Sequence, residues 1–174
     1  MFLVLSASLH PDSRSRIMAK ACRQQLSDQQ RDVQWFDLAE SALPLCDGAS
    51  AYSDSEVVRL GQLIHAAQAV FIASPVYNFD VNAALKNAIE LTGKKWTGKT
   101  VAMMLAAGGA GSYMSGMGLA NSLMLDFRCL IVPRFVYALG DAFQADTISD
   151  PDVAKRLEGL VNETVRISDA LNGG

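Results

Sequence analysis

The chain has 174 residues, half of them hydrophobic and 19% charged, with a formal net charge of −3. That balance excludes global disorder and speaks against nucleic acid or an anionic membrane as the main partner. The length suits one domain spanning residues 1–174, with enough apolar side chains for a substantial core.

Cys22, Cys46 and Cys129 are odd in number, far apart and without C-x-x-C spacing. This pattern predicts reduced thiols in a cytoplasmic protein and gives no zinc signature, so no metal is expected. Met1 runs directly into FLVLSAS (residues 2–8) with no basic region before it. No stretch approaches the roughly 20 apolar residues of a spanning helix, so membrane insertion is not expected.

Taken in chain order, Phe2–Ser6 is a strand, apolar on both faces, and a helix runs from Ser13 to about Gln25. Val33–Leu38 is the second strand. Ser53 with Glu56 three residues later reads as a capping box opening the second helix. Ala69–Ala73 is the third strand and Asp80–Thr92 the third helix, with Val81, Leu85, Ala88 and Thr92 on one stripe. Thr100–Ala106 is the fourth strand, and Ala120, Leu123, Met124 and Phe127 mark the fourth helix. A fifth strand lies within Cys129–Leu139, where Pro133 suits an edge position. Asp150-Pro151 opens the last helix.

Strands buried on both faces and alternating with helices predict an α/β fold, a doubly wound five-stranded parallel sheet with helices on both sides. The flavodoxin-like order 2-1-3-4-5 is expected, with ligands beyond the carboxyl ends of the strands at the switch point. The loops after strands one, three and four therefore carry the functional reading.

The first loop, SASLHPDSRS (residues 6–15), offers hydroxyls at Ser8, Ser13 and Ser15 ahead of a helix N-terminus. Free N–H groups and the helix dipole favour an anion there, with Arg14, Arg16 and His10 nearby. Without P-loop or G-x-G-x-x-G glycines, it suits a phosphate monoester better than a pyrophosphate. The alternative is that Ser13 merely caps the helix and the other polar groups are solvated.

The second loop, SPVYNF (residues 74–79), places Pro75 and Val76 before Tyr77, Asn78 and Phe79. Two ring faces flanking an amide that both donates and accepts match a flat heterocycle; the alternative is that both rings complete the core. The third loop, AAGGAGSYMSGMG (residues 106–118), has five glycines in thirteen residues, allowing close backbone approach to a ligand. Five of the seven methionines lie between Met103 and Met124, and core packing explains most of them.

These residues resemble the NAD(P)H-dependent FMN reductase family, with its azo-, quinone- and chromate-reducing relatives. The likeness spans nearly the whole chain. It rests most on P-x-Y-N followed by L-K-N, here Pro75, Tyr77, Asn78, Leu85, Lys86 and Asn87. The resemblance implies an FMN with its phosphate on Ser8, His10, Ser13, Arg14 and Ser15. The isoalloxazine would lie against Pro75, Val76, Tyr77, Asn78 and Phe79, closed off by Gly108, Gly109, Ser112 and Tyr113. His10 stands where the family usually has Arg, Ser15 where it has Asn, Val76 where Glu is frequent and Phe79 where Gly is frequent.

The implied activity is transfer of hydride from NADPH or NADH through bound FMN to a small acceptor such as a quinone, free flavin, azo compound or metal oxyanion. The flavin carries the chemistry, so no catalytic acid or base is assigned. A homodimer or tetramer is implied as well. The alternative is a flavodoxin-like electron carrier without nicotinamide turnover, although such carriers are usually more acidic.

Overall fold

The computed structural model describes residues 1–173. Five strands, β1 (Phe2–Ser6), β2 (Val33–Asp37), β3 (Ala69–Tyr77), β5 (Thr100–Ala107) and β7 (Val136–Leu139), form the body of the sheet. A short strand β6 (Leu130–Ile131) precedes β7, and both pair with β5. The order β2-β1-β3-β5 followed by β6 and β7 is parallel throughout, as the alternation implies.

Side-chain alternation along each strand divides the core into two layers. Phe2, Val4, Phe71, Ala73, Ala102 and Met104 face helices α1 (Arg14–Asp28) and α5 (Pro151–Asn172). Leu3, Leu5, Val70, Ile72, Val101 and Met103 face α2 (Ser55–Ala66), α3 (Ala83–Thr92) and α4 (Gly116–Phe127). Because both faces are covered, β1, β3 and β5 read as continuous apolar runs rather than alternating ones.

Four local expectations change. First, α2 is capped by Asp54, whose carboxylate accepts from the N–H groups of Glu56 and Val57, while Ser53 ends a preceding 3-10 turn. A carboxylate at the N-cap also meets the helix dipole, which a serine hydroxyl does not.

Second, β3 continues past Ala73 to Tyr77 and folds back through β4 (Asp80–Val81), antiparallel to it. Third, α3 therefore begins at Ala83 rather than Asp80.

Fourth, the outer strand is broken. Pro133 cannot donate to the ladder and Arg134 adopts φ 62, which separates β6 from β7. A further two-stranded hairpin, β8 (Phe143–Gln144) with β9 (Thr147–Ile148), lies ahead of α5 and packs beside α1.

No helix of the described residues is long and apolar enough to cross a membrane. Among those residues no group of three or more His, Cys, Asp or Glu side chains is placed to hold a metal ion.

Candidate functional site

The loop from β1 to α1 is held from inside. Ser13 is the N-cap of α1, its Oγ accepting the N–H of Arg16 at 3.2 Å and sharing a 2.9 Å hydrogen bond with Ser15 Oγ. Ser8, Ser13 and Ser15 are all buried. Ser8 Oγ accepts the His10 N–H at 3.2 Å, and His10 Nδ1 accepts the Asp12 N–H at 3.0 Å. A ring nitrogen that accepts leaves the proton of the neutral imidazole on Nε2.

Arg16 turns out not to be spare charge near the loop. Its Nε donates to Asp37 Oδ2 at 2.6 Å and its Nη2 to the Ser8 carbonyl at 2.8 Å. Nη1 donates to the carbonyls of His10 and Pro11 at 2.7 and 2.9 Å. Asp37 lies at the end of β2 and its side chain is fully buried. One guanidinium thus ties the loop to the neighbouring strand. The first-turn N–H groups of Arg14 and Ser15 have no acceptor within the helix, and the dipole adds to their pull on an anion. Ser13 therefore caps the helix and also lines the cleft described below.

At the end of β3, Val76 pairs with Val81 and Tyr77 with Asp80, leaving Asn78-Phe79 as a two-residue hairpin loop. Their φ values of 51° and 66° are those of a type I′ turn, for which Asn-Gly is the favoured pair. Asn tolerates this region; a phenylalanine there costs about 1–2 kcal/mol. The strained position holds a ring that is 57% exposed, beside Tyr77 at 54%. These rings do not complete the core.

Below the hairpin, the buried Asn82 joins two strand ends. Its Nδ2 donates to the Ala7 carbonyl at 2.7 Å, and its Oδ1 accepts from Ser74 Oγ at 3.1 Å. Nothing in the sequence set this amide apart from the other residues of the expected helix Asp80–Thr92.

The glycine-rich loop after β5 is anchored on its far side. Tyr137 donates its hydroxyl proton to the Gly109 carbonyl and shares a 2.8 Å hydrogen bond with Ser112 Oγ. The Tyr113 ring stands 5.3 Å from both Phe135 and Tyr137. On the open side, a Cβ on Gly108 or Gly109 would meet nothing within 4 Å.

The three loops meet around one cleft of about 430 Å³, inside the range of roughly 300–1,000 Å³ usual for ligand pockets. Ser8, His10, Ser13, Arg14 and Ser15 line one wall, Pro75, Val76 and Tyr77 a second, and Gly108 a third. Asn78 and Phe79 sit at the hairpin tip outside this lining, while Gly109, Ser112 and Tyr113 brace the loop from behind. Asp12, Ala106 and Ala107 also line the cleft. Asp12 is concealed in an ordinary Pro-Asp-Ser turn. The two alanines carry no signal beyond their small size, which leaves room above β5.

A doubly wound parallel sheet with such a cleft at the β1/β3 switch point defines a cofactor-binding α/β protein. The model of the NADPH-dependent FMN reductase family matches residues 1–144, and the chain belongs to that family: an oxidoreductase using FMN and a nicotinamide donor.

The chain is 28% identical over 148 residues to an NAD(P)H-dependent FAD/FMN reductase of Geobacillus thermodenitrificans, covering 82% of this chain and 79% of that protein. It is 25% identical over 166 residues to an NADPH azoreductase of Bacillus sp. strain OY1-2, covering 94% and 88%. Its fold matches that of FerB, a flavoenzyme NAD(P)H:(acceptor) oxidoreductase from Paracoccus denitrificans, with a TM-score of 0.79 and 24% identity over 97% of each chain.

Proposed function

We propose that the cleft seats FMN with its phosphate over the α1 N-terminus and its ring between Tyr77 and the Gly108 backbone, and that the protein passes reducing equivalents from NAD(P)H to a small acceptor. The observation that carries this reading is the convergence of the three loops on one cleft with complementary chemistry. One wall has buried hydroxyls and uncommitted helix N–H groups, which suit a phosphate monoester. The others have a flat aromatic face, small alanines and glycines open to solvent, which suit a planar ring. Asp12 is the acid on the anion side, and Arg14 is the cation placed to offset it.

When bound, FMN supplies the hydride chemistry. The protein's share is to orient and to exclude. Asn82 holds the ends of β1 and β3 together, Arg16 fixes the phosphate loop, and the Asn78-Phe79 tip presents its amide and ring beside the mouth. The acceptor class spans quinones, free flavin, azo compounds and metal oxyanions. The three thiols are free, which suits a reducing compartment such as the cytoplasm.

A homodimer is part of the proposal. On α4, Leu125 is 83% exposed, and Met117 and Met124 are also exposed. Leu125 borders a hollow of about 780 Å³ that also includes Ile89 of α3, and exposed apolar surface of this kind favours a protein partner.

The test is the visible spectrum of purified protein reconstituted with FMN, followed by NADH and NADPH oxidation with a quinone or free flavin. A yellow protein that consumes a nicotinamide only when acceptor is present is the expected result. A protein that cannot take up FMN would overturn the reading, and a flavoprotein that oxidises neither nicotinamide would revive the carrier alternative. Sedimentation of Leu125→Glu against the unaltered protein tests the dimer.

A further inference from the structure

Gly140 follows β7 and opens a short 3-10 turn, Gly140–Ala142. A Cβ placed on it would stand 2.5 Å from Nη1, 2.8 Å from Cζ and 3.0 Å from Nη2 of Arg14. All three atoms belong to the guanidinium, so the group rests on the bare Cα. Ordinary non-bonded contacts fall at about 3.5–4.0 Å, and any side chain at this position would displace it. The φ of Gly140 lies outside the left-handed region, so the backbone itself does not require glycine. What requires it is the seat for Arg14.

That seat matters because of where Arg14 stands. Its side chain borders the main cleft and also a second hollow of about 300 Å³, which contains Lys20, Phe143 and Asp146. Among the described residues the Arg14 side chain takes part in no hydrogen bond or ion pair. Arg16, two residues on, is committed to Asp37 and to three backbone carbonyls. Arg14 is therefore the guanidinium left to answer an anion at the α1 N-terminus. Displaced from Gly140, it would find a carboxylate in the second hollow at Asp146.

We propose that Gly140 is a positioning residue: it holds the Arg14 guanidinium beside the α1 N-terminus and so sets the preference of the cleft for a phosphate-bearing flavin over a phosphate-free one. The inference rests on the FMN reading above. It concerns a residue that touches the cofactor only through Arg14.

The experiment titrates the flavin-free protein with FMN and with riboflavin, following quenching of flavin fluorescence. Gly140→Ala should weaken FMN binding about tenfold, the scale of one charge-assisted contact, while riboflavin affinity stays the same. Unchanged riboflavin binding also reports an intact fold. Arg14→Ala should produce the same selective loss, and Gly140→Ala should add nothing in the Arg14→Ala background.

Equal loss of both flavins, no loss of either, or additivity in the double variant would overturn the proposal. If the unaltered protein takes up no FMN, the cofactor reading falls and this inference with it. If FMN binds and Gly140→Ala makes no difference, only the positioning role falls.

Discussion

The two loops that flank the switch point solve the same problem in opposite ways. The β1–α1 loop is satisfied internally: buried serines bond to one another and to the backbone, and Arg16 bridges three carbonyls and Asp37. The β3–β4 hairpin carries an exposed phenylalanine in a backbone region that disfavours it. In the first, rigidity is a by-product of saturation, and what it offers a ligand is the residue of N–H and hydroxyl capacity. In the second, local strain persists because the strand pairing on either side over-determines the turn. On the proposed reading, the first is a seat for a small charged group, built from many weak constraints, and the second a platform for a ring, built on one well-placed turn.

Breaking the brace of the first loop should have the largest effect. Asp37→Ala leaves a mostly buried guanidinium without its carboxylate, and a loss of about 3 kcal/mol is expected by urea denaturation, with FMN affinity falling in parallel. Asn82→Ala strands the buried Ala7 carbonyl, while the Ser74 hydroxyl keeps the Pro75 carbonyl as its acceptor, and should cost about 2 kcal/mol by the same measurement. The hairpin should respond in the other direction. Phe79→Gly relieves the left-handed strain and should raise stability by about 1 kcal/mol while changing turnover with bulky acceptors. A Phe79→Gly protein that is less stable would mean that the ring is held by packing and that the contrast between the loops is false. Asn78→Ala should lower FMN affinity or shift the flavin absorption with the fold retained.

A further effect is one of pH. Burial raises the Cys129 thiol from its ordinary 9.0 to about 11, and burial raises Cys22 as well. The unfolded chain then releases these protons at lower pH than the folded one. The stabilisation is complete below pH 9 and declines as pH climbs from there toward 11. Chemical unfolding across that window, with Cys129→Ser as reference, checks the sign. A thiol reagent at neutral pH should label half-exposed Cys46 ahead of the other two.

The strand order and the three converging loops were legible in the sequence because they depend on apolar runs and on glycine and proline placement, which are local signals. Family membership followed from Pro75, Tyr77, Asn78 and the Leu85-Lys86-Asn87 run. The hairpin was not legible: its turn type is normally announced by Asn-Gly, and Phe79 occupies the glycine position. Arg16 looked like Arg14, since sequence does not reveal which of two arginines a distant Asp37 will claim. Asn82 fell inside the expected helix from Asp80, yet its amide works across strands. The last two misses are tertiary partners overriding a local reading.

The break at Pro133–Arg134 has a consequence beyond topology. The outermost strand of an open sheet presents unpaired backbone donors and acceptors on which another chain can build. Here that rim is divided into Leu130–Ile131 and Val136–Leu139, with a donor removed by proline and a cationic side chain at the gap. Neither piece offers a long straight template. The kink thus guards the two-layered apolar interior against fibrillar self-association, and straightening it with Pro133→Val should make the protein more prone to aggregate before it makes it less stable.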